Sequence, residues 1–277
     1  MEHNFGGPWT LIKLDVLEAY LKAYTLALKN QGLTLTYIDA FAGTGQCTVQ
    51  LGDSHVTEDG SAIRALNVEP AFQKYIFIEN EKPKIAALKK IQTNYPDRNI
   101  EVIEGDANQV IRNLCASAHW GGQRAVLFLD PYGMEVDWHT LEVICATQAI
   151  DLWYLFPLSG LYRQATRKRI NITEDKRQAI NRILGTNEWE QDIYSHSGQL
   201  TLLDNDEAEY DRIDVEGLID YVSERLKQLF PGVSHGLLLK RDNIPMFTLY
   251  CAIANEQPKA IGLALKLANY IIDSQPR

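Results

Sequence analysis

Four carboxylates sit where chemistry at the edge of a sheet would need them. Asp39 closes the run Thr34-Leu35-Thr36-Tyr37-Ile38-Asp39, whose β-favouring residues predict a buried strand. Ala40-Phe41-Ala42-Gly43-Thr44-Gly45 follows, a glycine-punctuated turn in which Gly43 and Gly45 allow positive φ and close approach to a ligand. This G-x-G fits a dinucleotide loop only loosely, since Thr48 stands where the third glycine would be, and the same residues fit a tight turn with no ligand. Three further strand-like runs end in acid: Lys74–Glu79, Ile100–Glu104 with Gly105-Asp106 after it, and Arg124–Asp130. Successive strands with carboxylates at their C-terminal ends describe the ligand crevice of an open, doubly wound α/β sheet.

The last run is the most specific. Its core, Ala125-Val126-Leu127-Phe128-Leu129, is apolar throughout, as a central strand requires, and Asp130-Pro131-Tyr132-Gly133 terminates it. A carboxylate acceptor, a rigid carbonyl and an aromatic ring are set side by side. They would orient a planar, amino-bearing base by hydrogen bonds and stacking; the plainer alternative is a Pro-Tyr-Gly turn capped by an aspartate.

The elements that must position these groups are legible in order. Leu14, Leu17, Leu21 and Leu28 give residues 8–30 one apolar helical face, with Pro8 in the first turn and Gly32 as the stop. Lys13 lies beside that face, either solvated or reaching over the sheet edge toward the crevice. The polar stretch between Gly45 and Gly60 is long for a βα connection and predicts a lid or recognition loop. Ser61 is the expected N-cap of a helix over 62–66. Helices are expected over 81–93, with Ile85, Leu88 and Ile91 inward, and over 108–114. Asp151–Phe156 is the expected fifth strand, and 213–230 a helix ended by Pro231-Gly232. Leu237–Lys240 and Met246–Ala254 form a hairpin, and 259–272 a closing helix.

The chain has 277 residues, of which 45% are hydrophobic: room for a substantial core, and too apolar for a disordered chain. No apolar run approaches the roughly 20 residues that span a bilayer, and Met1–Pro8 lacks the charged-then-apolar pattern of a signal peptide. The four cysteines, Cys47, Cys115, Cys145 and Cys251, make no C-x-x-C, which argues against a metal cluster or disulfides and for free thiols in a reducing cytoplasm. A net charge of −9 disfavours general nucleic-acid binding but leaves room for a local basic patch. Arg163, Arg167, Lys168, Arg169, Lys176, Arg177 and Arg182 supply one candidate. That run is either solvated surface or a crevice rim contacting phosphates. From Glu188 to Asp220 the balance reverses, with eleven acidic residues and one arginine.

Taken together, Asp39-Ala40-Phe41-Ala42-Gly43-Thr44-Gly45, Glu79, Gly105-Asp106-Ala107-Asn108 and Asp130-Pro131-Tyr132-Gly133 resemble the motifs of Rossmann-type S-adenosylmethionine-dependent methyltransferases. More closely, the chain resembles the three-Cys-motif partner proteins, a bacterial and archaeal group with a methyltransferase-like core. The matching stretch runs from about Trp9 to about Arg169 and includes Asp151–Arg163. The group is named for an associated protein with a three-cysteine cluster that resembles a radical-chemistry iron–sulfur enzyme; this chain carries no such cluster.

The resemblance implies roles. Asp39, Phe41, Gly43 and Gly45 would wrap the methionine part of S-adenosylmethionine, and Lys13 would close over its carboxylate. Glu79 would hold the ribose hydroxyls. Asp106 would accept from the adenine amino group, with backbone contacts from Ala107 and Asn108. Asp130, Pro131 and Tyr132 would face the acceptor, and Arg163, Arg167, Lys168 and Arg169 would touch a nucleic-acid substrate, RNA or DNA. One departure matters: amino-directed nucleic-acid methyltransferases carry Asp-Pro-Pro-Tyr, and here one proline is missing, so the aromatic moves one place toward the strand. Trp138 or Trp153 could take over the stacking, or be ordinary core residues. The fold expected is one α/β domain with a Rossmann-like methyltransferase sheet of about seven strands, mostly parallel, an antiparallel C-terminal hairpin, and a mostly helical insertion over 158–215. The function expected is methyl transfer to a nucleic-acid base or similar nitrogen. The alternative is a partner protein for an iron–sulfur enzyme with little turnover of its own.

Overall fold

The computed structural model describes residues 7–51, 54–196 and 210–275. Residues 197–209, the middle of the acidic stretch, lie outside the described residues, and so do most of the first eight.

The chain opens with helix α1 (Pro8–Leu28) and strand β1 (Thr34–Asp39), then strands β2 (Gln46–Leu51) and β3 (Ser54–Asp59) and helix α2 (Ser61–Leu66). Next come β4 (Lys74–Glu79), α3 (Lys82–Asn94), β5 (Ile100–Glu104), α4 (Ala107–Ser117), β6 (Gln123–Leu129), α5 (Trp138–Ala146) and β7 (Ile150–Phe156). The following segment holds α6 (Leu158–Gln164), α7 (Glu174–Leu184), α8 (Trp189–Ile193) and the short pair β8 (Tyr194–His196) and β9 (Tyr210–Arg212). The end of the chain is α9 (Val215–Leu229), β10 (Gly232–Val233), β11 (Leu237–Arg241), β12 (Ile244–Ile253) and α10 (Pro258–Asp273).

The main sheet runs β5-β4-β1-β6-β7-β12, with β10 and β11 both on the outer side of β12. The first five are parallel to their neighbours, and β12 is antiparallel to β7. β10 and β11 act as one edge strand interrupted at Ser234–Gly236, so the sheet is seven positions wide. This is the Rossmann-like α/β arrangement with an antiparallel C-terminal hairpin that the sequence predicts.

Alternation explains how the sheet is covered on both sides. Ile38, Leu127, Leu129, Leu152 and Tyr154 point to a core shared with α4, α5 and α9. Tyr37, Val126, Phe128, Trp153 and Leu155 point to the other face, under α1, α2, α3 and α10. Side chains of period two on strands buried on both faces read as continuous apolar runs.

Two local expectations change. The stretch between Gly45 and Gly60, expected as a lid or recognition loop, is built as a β-ribbon, β2 paired with β3 from Gln46↔Asp59 to Leu51↔Ser54. Its alternation of polar with β-branched residues was hidden by overall polarity: Val49 is buried while the β3 side is exposed. The N-cap of α2 is Gly60, and Ser61 is its first helical residue. Trp153 is fully buried and Trp138 nearly so, each within the core, which leaves neither exposed for stacking on a base.

Candidate active site

The sheet's carboxyl edge is built by local rules. β1 ends at Asp39, and the chain turns through Gly43, at φ +60, and Gly45, at φ +80. Both lie in the left-handed region that favours glycine. A Cβ on Gly43 would meet nothing within 4 Å, so that face of the turn is open. A Cβ on Gly45 would meet Ile91 at 2.3 Å, so that glycine lets the turn pack on α2 and α3.

Asp39 is fully buried. Burial pushes its pKa up to about 6 and the charge of Asp130 adds to this, while hydrogen bonds from Ser61, Tyr37 and the Phe41 amide pull the other way. The Tyr37 hydroxyl donates to Oδ2 at 3.2 Å and the Phe41 amide to Oδ1 at 3.4 Å.

Glu79, at the end of β4, is the hub. Its Oε2 accepts from the Gly43 amide at 3.1 Å, and its Oε1 from the Asn80 and Glu81 amides at 2.9 and 3.1 Å. The glycine turn is thereby fixed to the neighbouring strand through a buried carboxylate. Asp106 caps α4 by accepting from the Gln109 amide at 3.0 Å, and it remains exposed to the crevice. The start of α4 presents the first-turn amides of Ala107 and Asn108, a favourable position for an electron-rich ring or anion.

Beyond β6, Asp130 is ion-paired with Lys13, which reaches over from α1. Pro131 is buried. Tyr132 is 54% exposed; its hydroxyl accepts from Lys84 Nζ at 2.6 Å, and that ammonium lies 4.3 Å from the ring centre. The loop 131–137 is held by α4: Asn108 Nδ2 donates to the Glu135 carbonyl at 2.8 Å, and Asn108 Oδ1 accepts from the Asp137 amide at 2.9 Å and from Thr140 Oγ1 at 2.8 Å. It is also held by α7, where Arg182 Nη2 donates to the Met134 carbonyl at 2.8 Å and Nε lies 3.6 Å from Asp137.

These elements enclose a cavity of about 400 Å³. Such a volume lies in the range of roughly 300–1,000 Å³ usual for cofactor sites. Of the expected residues, Phe41, Glu79, Asp106, Ala107, Asn108 and Tyr132 line it. Lys13, Asp39, Gly43, Gly45, Asp130 and Pro131 are not on its wall, though Gly43 is joined to it through Glu79. Asn108 contributes more than backbone, since its whole amide braces the 131–137 loop.

The basic run divides. Arg182 reaches the cavity wall, whereas Arg163, Arg167, Lys168 and Arg169 do not. Arg167 lies 3.7 Å from Asp211, and Arg169 bonds Glu190 at 3.0 Å beside Arg177 at 2.5 Å. Burial alone would raise the Glu190 carboxyl, yet these guanidiniums hold it below its usual range. Arg163 is exposed. Much of this run therefore ties the 158–215 segment to itself.

Residues not anticipated are Lys84, Asn80, Glu81, Glu135 and Asp137. Asn80 and Glu81 follow Glu79 directly and were findable as the helix start after a site strand. Arg182, 52 positions after Asp130, belongs to the basic run read as a possible crevice rim, and it is the member of that run that reaches the cavity wall. Among the described residues there is no group of three or more His, Cys, Asp or Glu able to hold a metal ion, and no helix long and apolar enough to cross a membrane.

No family model matches the chain, and no curated protein matches it. Among solved structures it is similar to protein LPL1258 from Legionella pneumophila, with TM-score 0.54 and 12% identity over 98% of this chain and 95% of that one. The N-terminal domain of EvdMO1 with S-adenosylhomocysteine bound gives TM-score 0.40 and 9% identity over 86% and 81%. The bifunctional kinase-methyltransferase WbdD gives 0.41 and 12% over 87% and 39%. At those TM-scores the last two likenesses carry no weight. The Legionella likeness, at its low identity, shows the fold: a Rossmann-like α/β chain matched over nearly its whole length.

Proposed function

We propose that this chain is an S-adenosylmethionine-dependent methyltransferase acting on a nitrogen acceptor, a nucleic-acid base or a base-like amine. The observation that carries this reading is Glu79: a buried carboxylate on the wall of a 400 Å³ cavity, bonded to the open glycine turn, with α4's capped start facing it. A carboxylate so placed accepts hydrogen bonds from a ribose diol. The space over Gly43 suits a ligand lying against the backbone. The fit of this site to the cofactor is therefore good: the Gly43 turn and Phe41 for the methionine part, Glu79 for the ribose, Asp106 with the Ala107 and Asn108 amides for the adenine.

Bound there, the cofactor supplies an already activated methyl group. The protein's task is then alignment. Asp130 would accept a hydrogen bond from the acceptor amine and stabilise its positive charge as the nitrogen–carbon bond forms and the sulfur leaves with its electron pair. The nitrogen then sheds a proton to solvent or to Asp130. Lys13, now on Asp130, would meet the cofactor's carboxylate, and Tyr132 would flank the acceptor. The cations of the 163–169 run are candidates for phosphate contacts if the acceptor is RNA or DNA.

Titration with S-adenosylmethionine, with NAD as control, tests this directly. Micromolar binding of the former alone, lost in Glu79→Ala, is expected; equal or absent binding of both overturns the reading. Labelled methyl transfer to pooled RNA and DNA then tests the acceptor class.

A second reading is favoured by one feature: Asp130 and the Tyr132 hydroxyl are already satisfied, by Lys13 and Lys84. A chain that keeps the cofactor crevice but works as the partner of a three-cysteine iron–sulfur protein would show cofactor binding without turnover until that protein is added.

A further inference from the structure

At the opposite end of the sheet lies a second cavity, of about 90 Å³, bounded by α1, the first residues of β6 and β7, and α10. Asp151, at the start of β7, lines it and is 8% exposed. Its Oδ2 accepts from the Tyr20 hydroxyl at 2.7 Å. Among the described residues nothing donates to its Oδ1. A carboxylate taken from water without full partners is costly, so a buried one open to a cavity asks for a donor there.

Arg124 lines the same cavity. One of its nitrogens, Nη1, donates to the Gln123 carbonyl at 2.6 Å, which leaves most of its five donors unused by that bond. Most of the remaining wall is aliphatic, including Leu28, Leu263 and Leu267, and Tyr20, Tyr24 and Asn255 complete it. At about 90 Å³ the cavity encloses about three to four heavy atoms, and with Leu263 half exposed on its rim a larger ligand would extend out of its mouth. An anion site would not bury a carboxylate, and a simple cation site would not line itself with a guanidinium.

We infer that this cavity is a binding site for a small aliphatic α-amino acid, its ammonium on Asp151, its carboxylate on Arg124 and its side chain against the leucines of α1 and α10. Burial holds the Asp151 pKa up at about 6, with the Tyr20 hydrogen bond and the Arg124 charge opposing, and an ammonium seated beside it would favour the ionised form. None of the residues belongs to the crevice at the other end of the sheet, so the site stands independently of the methyltransferase reading.

The test uses calorimetry on the full chain with three probes sharing one side chain: L-leucine, isopentylamine, which lacks the carboxylate, and 4-methylpentanoate, which lacks the amine. Leucine should bind and each analogue should bind at least about tenfold more weakly, the factor expected for losing one hydrogen-bonded charge. Asp151→Asn should weaken leucine and isopentylamine about tenfold, and Arg124→Gln leucine and 4-methylpentanoate. Leu263→Trp, at a position 51% exposed, should block all three without touching either charge, which separates site loss from misfolding. Absence of leucine binding, amine binding as tight as leucine, or affinity unchanged by these variants would each overturn the assignment.

Discussion

Two aspartates are buried at opposite ends of the same sheet, Asp39 at the end of β1 and Asp151 at the start of β7, and burial pushes both up to about 6. Their surroundings differ. Asp39 is gripped by groups close in sequence, Tyr37 and the Phe41 amide, with Ser61 from the next helix. It sets the shape of an open turn without touching the cavity itself. Among the described residues Asp151 is bonded by Tyr20 alone, 131 positions away, and it opens directly onto a cavity. Equal burial thus yields two kinds of group: one used up in holding backbone, the other left with capacity for a ligand.

The largest expected effect separates the two ends. Asp39→Ala removes the acceptor for Tyr37 and Phe41, frees the glycine turn, and should abolish S-adenosylhomocysteine binding, at least a 100-fold loss by calorimetry at about 3 kcal/mol for a collapsed buried network. Asp151→Ala should leave that affinity within about twofold, since distant independent sites add. A loss of equal size in both would break the comparison and mean the sheet responds as one unit.

The next effect sharpens it through pH. Burial pushes each carboxyl from the ordinary 3.8 of an aspartate up to about 6 in the folded chain. Below 3.8 both states are protonated and neither group disfavours folding; as pH rises through 6 the folded state must ionise a buried acid, and stability falls. The difference corresponds to about 3 kcal/mol per group at pH 7. Asp151→Asn should therefore gain stability relative to the wild-type chain between pH 4 and pH 7, by up to that amount, in urea denaturation. Asp39→Asn should gain less, because the carboxamide cannot serve all three donors around Asp39.

A smaller effect concerns the 131–137 loop, which α7 reaches through Arg182. Arg182→Ala should leave cofactor affinity within about twofold and lower methyl turnover about tenfold, as expected for losing one charged hydrogen bond that positions a loop. Equal loss of both would place Arg182 on the cofactor instead. The smallest is Gly43→Ala: with open space but φ +60, it should cost about 1–2 kcal/mol of stability, read as a drop in Tm.

The same contrast shows why the crevice was legible in the sequence and its counterpart was not. Asp39, Glu79 and Asp106 stand at the ends of strands or the start of a helix, where local pattern predicts them, and the glycines beside them announce the turn. The fold was legible for the same reason: apolar runs of strand length alternate with amphipathic helices, and the Leu237–Ala254 hairpin sits at the edge. The β2–β3 ribbon was not, because its pairing partner lies across a polar tip and a polar sequence reads as loop. Nor was the fate of the basic run: Arg169 and Arg177 look alike in sequence to Arg182, yet two converge on Glu190 and the third reaches the cavity.

What the sequence determined by itself was the five parallel strands of the main sheet, the C-terminal hairpin and the carboxylates at one edge, since each follows from residues a few positions apart. What only the tertiary structure decided was which distant side chains meet: Lys13 with Asp130, Lys84 with Tyr132, Tyr20 with Asp151 and Arg182 with the 131–137 loop. Such pairs depend on how helices cross the sheet. That crossing is set by the summed packing of two apolar faces and leaves no mark in any short stretch of chain.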